Sequence, residues 1–258
     1  MKIVTYNVNG VRSAIAKGLL DWLKTEDPDV VCLQEIKLFE TDLVQPQFEA
    51  LGYCCNWFPA QKKGYSGVAI LSKETPKNVA FGCGNELFDF EGRVIRADFE
   101  TCSVMSVYFP SGSAGDERQA VKMDFLTFFQ PYIHVLKQNI SNLIIVGDYN
   151  ICHEEIDIHN PKANKNSSGF LTEEREWIGK MMESGFVDAF RVLNAEPHNY
   201  TWWSVRFKAK EKNLGWRIDY QLISETIAHR LKKSSIQPQL SFSDHCPVLI
   251  EMEGLTPT

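Results

Sequence analysis

Short apolar runs that stop at a polar residue alternate along this chain with segments whose apolar positions recur every three to four residues. Ile3–Tyr6 is a β-rich run ending in Asn7-Val8-Asn9-Gly10. Ile15, Leu19, Trp22 and Leu23 then fall on one face at helical spacing and predict a single amphipathic helix. Pro28 breaks the chain, and Val30-Val31-Cys32-Leu33 reads as a buried strand running into Gln34-Glu35. Gly67–Leu71, Arg93–Phe99 and Val104–Phe109 read as further strands. Val121, Phe125, Phe129, Tyr132 and Leu136 repeat at helical spacing, with Pro131 expected to bend or interrupt that helix. Leu143–Val146 is a second short, fully apolar strand, ending in Gly147-Asp148-Tyr149-Asn150. Thr172 is expected to cap a helix that turns Trp177, Ile178 and Met181 inward and closes at Gly185. Arg217–Ile223 and Pro247–Glu251 supply the last strands.

Strands and helices alternate without a linker, a low-complexity tract or a repeat, which predicts an α/β protein with one domain over residues 1–258. Its buried strands end repeatedly in a carboxylate or carboxamide: Asn7, Glu35, Asp148 with Asn150, Asp219, and Asp244-His245. Any one of these is open to reading as an ordinary turn residue, since Asp and Asn are common there. The same chemistry at every one of these ends points to convergence at one edge of the fold.

Composition narrows the classes. With 258 residues, 44% of them hydrophobic, the chain can bury a large core and is neither disordered nor fibrous. The cysteines at 32, 54, 55, 83, 102, 152 and 246 are odd in number and never spaced C-x-x-C. That argues against a disulfide framework or a zinc ribbon and for buried thiols in a reducing compartment. The segment MKIVTYNVNG lacks the basic-then-apolar plan of a secretory signal, and no apolar run approaches the ~20 residues of a membrane span. A soluble, cytoplasmic protein is expected. The net charge of −6 disfavours nonspecific coating of nucleic acid but leaves room for a nuclease, whose metal ligands are acidic and whose phosphate contacts are local.

Oxygen-bearing side chains without matching Cys/His sets suggest Mg²⁺, with Mn²⁺ able to substitute, rather than zinc. The run His153-Glu154-Glu155-Ile156-Asp157 is not H-E-x-x-H and reads as no zincin. Cutting a phosphodiester needs an in-line nucleophile, charge neutralisation on the phosphoryl oxygens and help for the leaving oxygen. The strand-end residues supply all three.

Asn7 in TYNVNG, Glu35 in LQEIK, Tyr108 in VYFP, Asp148 and Asn150 in GDYN, Asp219 in RIDY, and Asp244-His245 in SDHCP occur in that order. Over essentially residues 1–253 the chain resembles the exonuclease III/AP endonuclease family, within the endonuclease/exonuclease/phosphatase superfamily. Gly67-Val68-Ala69, NICHEEIDIHNPKANK (150–165) and NLGWRIDYQLIS (213–224) are similar to the AP endonuclease branch, nearer its animal-type members than the bacterial prototype. The resemblance implies a four-layer α/β sandwich of the DNase I kind, two mostly antiparallel β-sheets packed face to face with helices outside. It implies cleavage of duplex DNA 5′ to an abasic site, leaving a 3′-hydroxyl, with trimming of blocked 3′ ends and some 3′→5′ exonuclease activity. The enzyme would act as a monomer without a membrane.

The resemblance also implies roles. Glu35 would bind the metal, with Asn7, Asp148, Asn150, Asp244 and His245 as the further candidates around it. Asp148 would activate water beside Asn150, with Tyr108 and His245 open as alternative bases. His245, paired with Asp219, and Tyr108 would contact the scissile phosphate. Asn9 stands where some relatives carry an acid, and Ser111 where relatives often carry a carboxamide. Trp202, Trp216 and Ile218 would line a small apolar pocket for a flipped abasic sugar; otherwise such tryptophans are core. Arg206, Lys208, Lys210 and Lys212 fall within seven residues, with further lysines at 62, 63, 162 and 165. A solvated loop is the usual reading of such a run, and its position beside the pocket segments favours contact with the DNA backbone. A phosphorylated small molecule or RNA as substrate, or a catalytically dead binding relative, are the rival readings. Residues 202–218 speak against the first, and the presence of Glu35, Asp148 and His245 against the second.

Overall fold

Along each central strand, successive side chains point into different layers. Ile3 packs between two sheets, whereas its neighbours Val4 and Tyr6 pack outward under helices. The computed structural model describes residues 1–41 and 43–255. Its strands are β1 (Lys2–Asn7), β2 (Val30–Gln34), β3 (Cys54–Phe58), β4 (Val68–Ser72), β5 (Asn78–Phe81), β6 (Val94–Asp98) and β7 (Ser103–Tyr108). They continue with β8 (Leu143–Asp148), β9 (Phe186–Asp188), β10 (Trp202–Trp203), β11 (Gly215–Trp216), β12 (Asp219–Ser224), β13 (Leu231–Ile236) and β14 (Val248–Met252).

One sheet has the order β13-β14-β1-β2-β4-β3, the other β5-β6-β7-β8-β12-β9, and β10 pairs with β11 in a small ribbon. In each six-stranded sheet the central pair alone is parallel, β1 with β2 and β7 with β8, and every other pairing is antiparallel. A parallel pair needs a crossover. The helices Val11–Ala16 and Leu19–Glu26 supply it in the first sheet, and Asp116–Lys137 in the second. One core lies between the sheets, a second under Asp116–Lys137 and Thr172–Glu183, a third under the helices of the first sheet. That is the four-layer sandwich, with two mostly antiparallel sheets.

Three local expectations change. The helix anticipated around Ile15–Leu23 is two helices, because Gly18 takes a left-handed φ of 107° that interrupts the hydrogen-bond ladder. Pro131 does not end its helix, which runs from Asp116 to Lys137 as one element. Pro131 and Thr127, whose carbonyl loses its partner, are both exposed, so water can replace the missing bond. Thr172 is the first helical residue and not the cap; the Glu174 carboxylate closes that helix start by accepting from the Gly169 and Leu171 amides at 2.6 and 3.0 Å.

The layer between the sheets changes character along its length. Ile3, Cys32, Val104, Ile144 and Ile223 give way, nearer one end, to Thr5, Gln34, Ser106 and Gln221. Buried polar groups are costly unless bonded. Here Thr5 Oγ1 donates to Gln34 Oε1 (3.1 Å) and Gln34 Nε2 donates to Ser106 Oγ (2.9 Å). At the very end stand Asn7, Tyr108, Asp148 and Asp219.

Candidate active site

The C-terminal ends of the two parallel pairs meet at that polar end. Asn7 is in register with Gln34, one residue before Glu35, and Tyr108 is in register with Asp148. Because β12 runs antiparallel to β8, its first residue, Asp219, pairs with Asp148. His245 is delivered by the segment before β14. The Trp203 amide donates to Asp244 O (3.2 Å) and the Cys246 amide to Thr201 O (2.8 Å), tying this segment to β10.

The contacts within the cluster are specific. Asn7 Nδ2 donates to Glu35 Oε1 and to Asp148 Oδ2, both at 2.9 Å, while its Oδ1 accepts from the Asn9 amide at 3.0 Å. With its oxygen occupied, Asn7 bridges the two acids and orients them. The Asn150 amide donates to Asp148 Oδ1 (2.8 Å), and Asn150 Nδ2 donates to Phe109 O (3.1 Å) and Asp148 Oδ2 (3.3 Å). Asp219 Oδ2 lies 2.9 Å from His245 Nδ1, and His245 Nε2 lies 3.8 Å from Asp148 Oδ2. Asn9, Glu35, Lys37 and Asn150 all hold left-handed φ values of 46–52°, a concentration of backbone strain typical of built sites.

Burial and charge separate the candidates for general base. Burial raises the Asp148 carboxyl and neighbouring Asp219 raises it further; His245, Asn7 and Asn150 oppose, and the balance is a pKa of about 7. Burial works against a charged His245, but Asp219, then Asp148, outweigh it and raise the ring to about 10. Tyr108 is pushed well above the usual phenol range by burial, then by Glu35 and Asp148. At neutral pH the phenol is therefore a donor and His245 a cation with both ring nitrogens protonated. Of the three candidates, Asp148 alone has a pKa near neutrality, where a general base works best.

Glu35, Asp148 and His245 each offer a ligand atom within 4.8 Å of the others. The imidazolium has no free lone pair, so the donors suited to a cation are carboxylate oxygens, the hard set that Mg²⁺ or Mn²⁺ takes. Glu35 Oε2 also lies 2.9 Å from Lys37 Nζ, a neighbour the sequence did not flag.

A cavity of about 510 Å³ opens over this cluster. Glu35, Tyr108, Asp148, Asn150, Asp244 and His245 form its polar floor, and Trp202, Trp216 and Ile218 form one wall. The tryptophan rings stand edge to face, 6.1 Å apart at 88°, and Trp202 Nε1 donates to Asp244 Oδ2 at 2.9 Å. Trp203, next in sequence, is buried in a separate core. Four serines also line the cavity, 111, 113, 167 and 168, of which sequence reasoning noted only Ser111. Loop serines carry no periodic signal, so the others were not legible.

The basic run stays outside the cavity. Arg206 and Lys208 are exposed, while Lys210 is half-buried, donating to Leu240 O (2.6 Å) and Ser241 Oγ (3.2 Å) over the Trp203 ring. Lys210 therefore fastens its loop. The NICHEEID segment is stitched to the cavity wall: Arg217, between Trp216 and Ile218, donates from Nε and Nη2 to the Asp157 carboxylate at 2.8 and 2.9 Å. Five of the seven cysteines, at 32, 83, 102, 152 and 246, are buried and burial raises their thiols, whereas Cys54 and Cys55 are only half-buried; every cysteine is free.

A model described as the endonuclease/exonuclease/phosphatase family matches residues 4–245. The chain is 43% identical over 251 residues to an exodeoxyribonuclease of Bacillus subtilis (strain 168), covering 96% of this chain and 98% of that one. It is 39% identical over 253 residues to the DNA repair nuclease APEX1 of Danio rerio, covering 97% and 81%. The structure of an AP endonuclease from Archaeoglobus fulgidus superposes with a TM-score of 0.90 at 32% identity, covering 98% of this chain and 99% of that one.

Proposed function

We propose, for a chain that belongs to the endonuclease/exonuclease/phosphatase family, that it is a DNA repair nuclease cutting duplex DNA 5′ to abasic sites and leaving a 3′-hydroxyl. It also trims blocked 3′ ends and removes 3′-terminal nucleotides. The carrying observation is the cavity itself, in which Glu35, Asp148 and His245 face an apolar wall of Trp202, Trp216 and Ile218. A phosphodiesterase centre needs the first set, and selection of a sugar without its base needs the second.

Asp148 takes a proton from water as that water attacks phosphorus in line, and the bond from phosphorus to the 3′-oxygen breaks, the departing oxygen taking a proton from solvent to become the 3′-hydroxyl. His245, held cationic by Asp219, donates to a phosphoryl oxygen where charge develops, and Tyr108 donates beside it. Asn7 and Asn150 hold the Asp148 carboxylate in line. Glu35 would hold a divalent cation, Mg²⁺ in our reading, which would neutralise phosphoryl charge and ease departure of the oxygen. Glu35, Tyr108, Asp148, Asn150, Asp244 and His245 line a single cavity, and we read the chain as one catalytic domain acting as a monomer. Free cysteines support a reducing, cytoplasmic setting; among the described residues, no helix is long and apolar enough to cross a membrane.

The test is a duplex oligonucleotide carrying one synthetic abasic site, incubated with Mg²⁺ or with EDTA. A single cut 5′ to the site with Mg²⁺ alone is expected; an uncut duplex would reject the substrate. Glu35→Gln keeps the shape and removes the charge, so the rate at low Mg²⁺ should fall about 10²-fold and recover in part at high Mg²⁺ or Mn²⁺. An unchanged rate at low Mg²⁺ removes Glu35 from the metal site. Trp216→Ala should lose stacking worth roughly 1–3 kcal/mol, lowering abasic-site cleavage more than removal of ordinary 3′-terminal nucleotides. Equal loss of both activities in a folded variant would return Trp216 to a packing role.

A further inference from the structure

Behind the cavity, on the far side of Asn150, lies an ion pair that the chemistry above does not use. Lys122 and Glu174 are both completely buried, with Nζ 2.7 Å from Glu174 Oε1. Burying two charges is expensive, and a pair of this kind usually adds little to stability over apolar residues of the same shape. Each partner, however, is bonded to a different segment that lines the cavity, Lys122 to Asn150 and Glu174 to the loop after Ser167 and Ser168.

Lys122, on the crossover helix between β7 and β8, donates to the main-chain carbonyl of Asn150 at 2.8 Å. Asn150 holds a left-handed φ of 52°, and its own amide and side chain carry the Asp148 carboxylate. Fixing its carbonyl on one side and its amide on the other leaves that residue one orientation. Glu174 accepts from the Gly169 and Leu171 amides (2.6 and 3.0 Å) and from Gln119 Nε2 (3.0 Å). Gly169 accepts from the Cys152 amide at 2.7 Å and backs directly onto the Trp216 ring: a Cβ there would lie 2.9 Å from Cζ3. Ser167 and Ser168, just before it, line the cavity.

We infer that Lys122 and Glu174 are positioning residues, a buried clamp that locks the Asp148–Asn150 turn to the loop at 167–171 and so sets the catalytic carboxylate against the sugar pocket. The inference rests on the nuclease reading. A misplacement of about 1 Å at a reacting group costs about 10²-fold in rate, whereas substrate binding, made by other residues, is spared. Either single substitution strands a buried charge and threatens the fold, so the informative protein is the double variant Lys122→Met/Glu174→Gln. It keeps volume, removes both charges and deletes the donor to Asn150. Lys122→Arg, which keeps donor and charge, is its companion.

The double variant and Lys122→Arg are compared with the wild type for thermal unfolding, kcat and KM, on the abasic duplex and on a plain 3′-recessed duplex. Expected are a folded double variant with kcat down about 10²-fold on both substrates and KM little changed, and recovery of most of kcat in Lys122→Arg. A folded double variant with wild-type kcat, or a loss confined to KM, would overturn the clamp. A wild type inactive on the abasic duplex but active on the plain one would overturn the abasic substrate alone, because the kcat ratio on the plain duplex still decides the clamp.

Discussion

Asp148→Asn is expected to lower kcat on an abasic duplex by about 10³-fold, within the range that general-base catalysis supplies, and to abolish the acidic limb of the pH profile. The carboxamide keeps the shape and cannot accept the proton of the attacking water. Asp148 is singled out because its rivals are disabled by their surroundings: Tyr108 is held as a neutral phenol and His245 as a cation. The sign of the pH dependence follows. A base must be unprotonated, so activity of the wild type is lost as pH falls through the Asp148 pKa of about 7. The imidazolium must be protonated, so activity is lost as pH rises through the His245 value of about 10. A bell between these limbs is expected, and a cation at Glu35 favours the carboxylate and draws the acidic limb lower. Because Asp148 and His245 interact, the limbs belong to the pair. A kcat/KM profile whose acidic limb survives Asp148→Asn would remove this residue from the proton transfer.

The second large effect concerns the dyad. His245→Ala should reduce kcat by about 10³-fold, and Asp219→Ala introduced into that variant should cost little more, because groups that act as a unit lose their function together. The 2.9 Å contact between Nδ1 and Asp219 Oδ2, wholly out of solvent, is what makes them a unit. Asp219 fixes the ring orientation and keeps it charged, so without the ring the carboxylate has nothing to position. In His245→Ala the carboxylate is left buried and unpaired, so thermal unfolding should also shift downward and partly recover in the double variant. Four kcat values and four melting temperatures complete the cycle. Strictly additive losses in kcat would show the two residues acting separately.

The central strands were legible in the sequence because they are covered on both faces and read as short continuous apolar runs. β2, β4, β8 and β14 coincide with such runs, and β1, β6, β7 and β12 with β-rich runs that a polar residue interrupts, Thr5, Arg96, Ser106 and Gln221 respectively. Within the two six-stranded sheets the strands the pattern did not reveal, β3, β5, β9 and β13, are the four edges, and β5 and β13 are half exposed, so no apolar run marks them; the two-residue strands β10 and β11 are too short to carry a pattern. Asn7, Glu35 and Asp148 were legible for the same reason, since an Asp, Asn or Glu after a run of Val and Ile is conspicuous; Asp219 instead opens β12, and Asp244-His245 precede β14 rather than ending a strand. Resemblance to a known family then assigned them roles. What the linear pattern does not contain is which oxygen faces which nitrogen. Only the packed sheets turn Asn7 into a bridge between Glu35 and Asp148, raise Asp148, charge His245, and spend Lys210 on the Leu240 carbonyl instead of on a free surface. Those outcomes depend on distances of about 3 Å between residues separated by tens to more than a hundred positions, and on the exclusion of water that makes such contacts strong. Short apolar runs and helical periodicities determined that this protein is α/β; the meeting of two parallel strand pairs, one from each sheet, decided its chemistry.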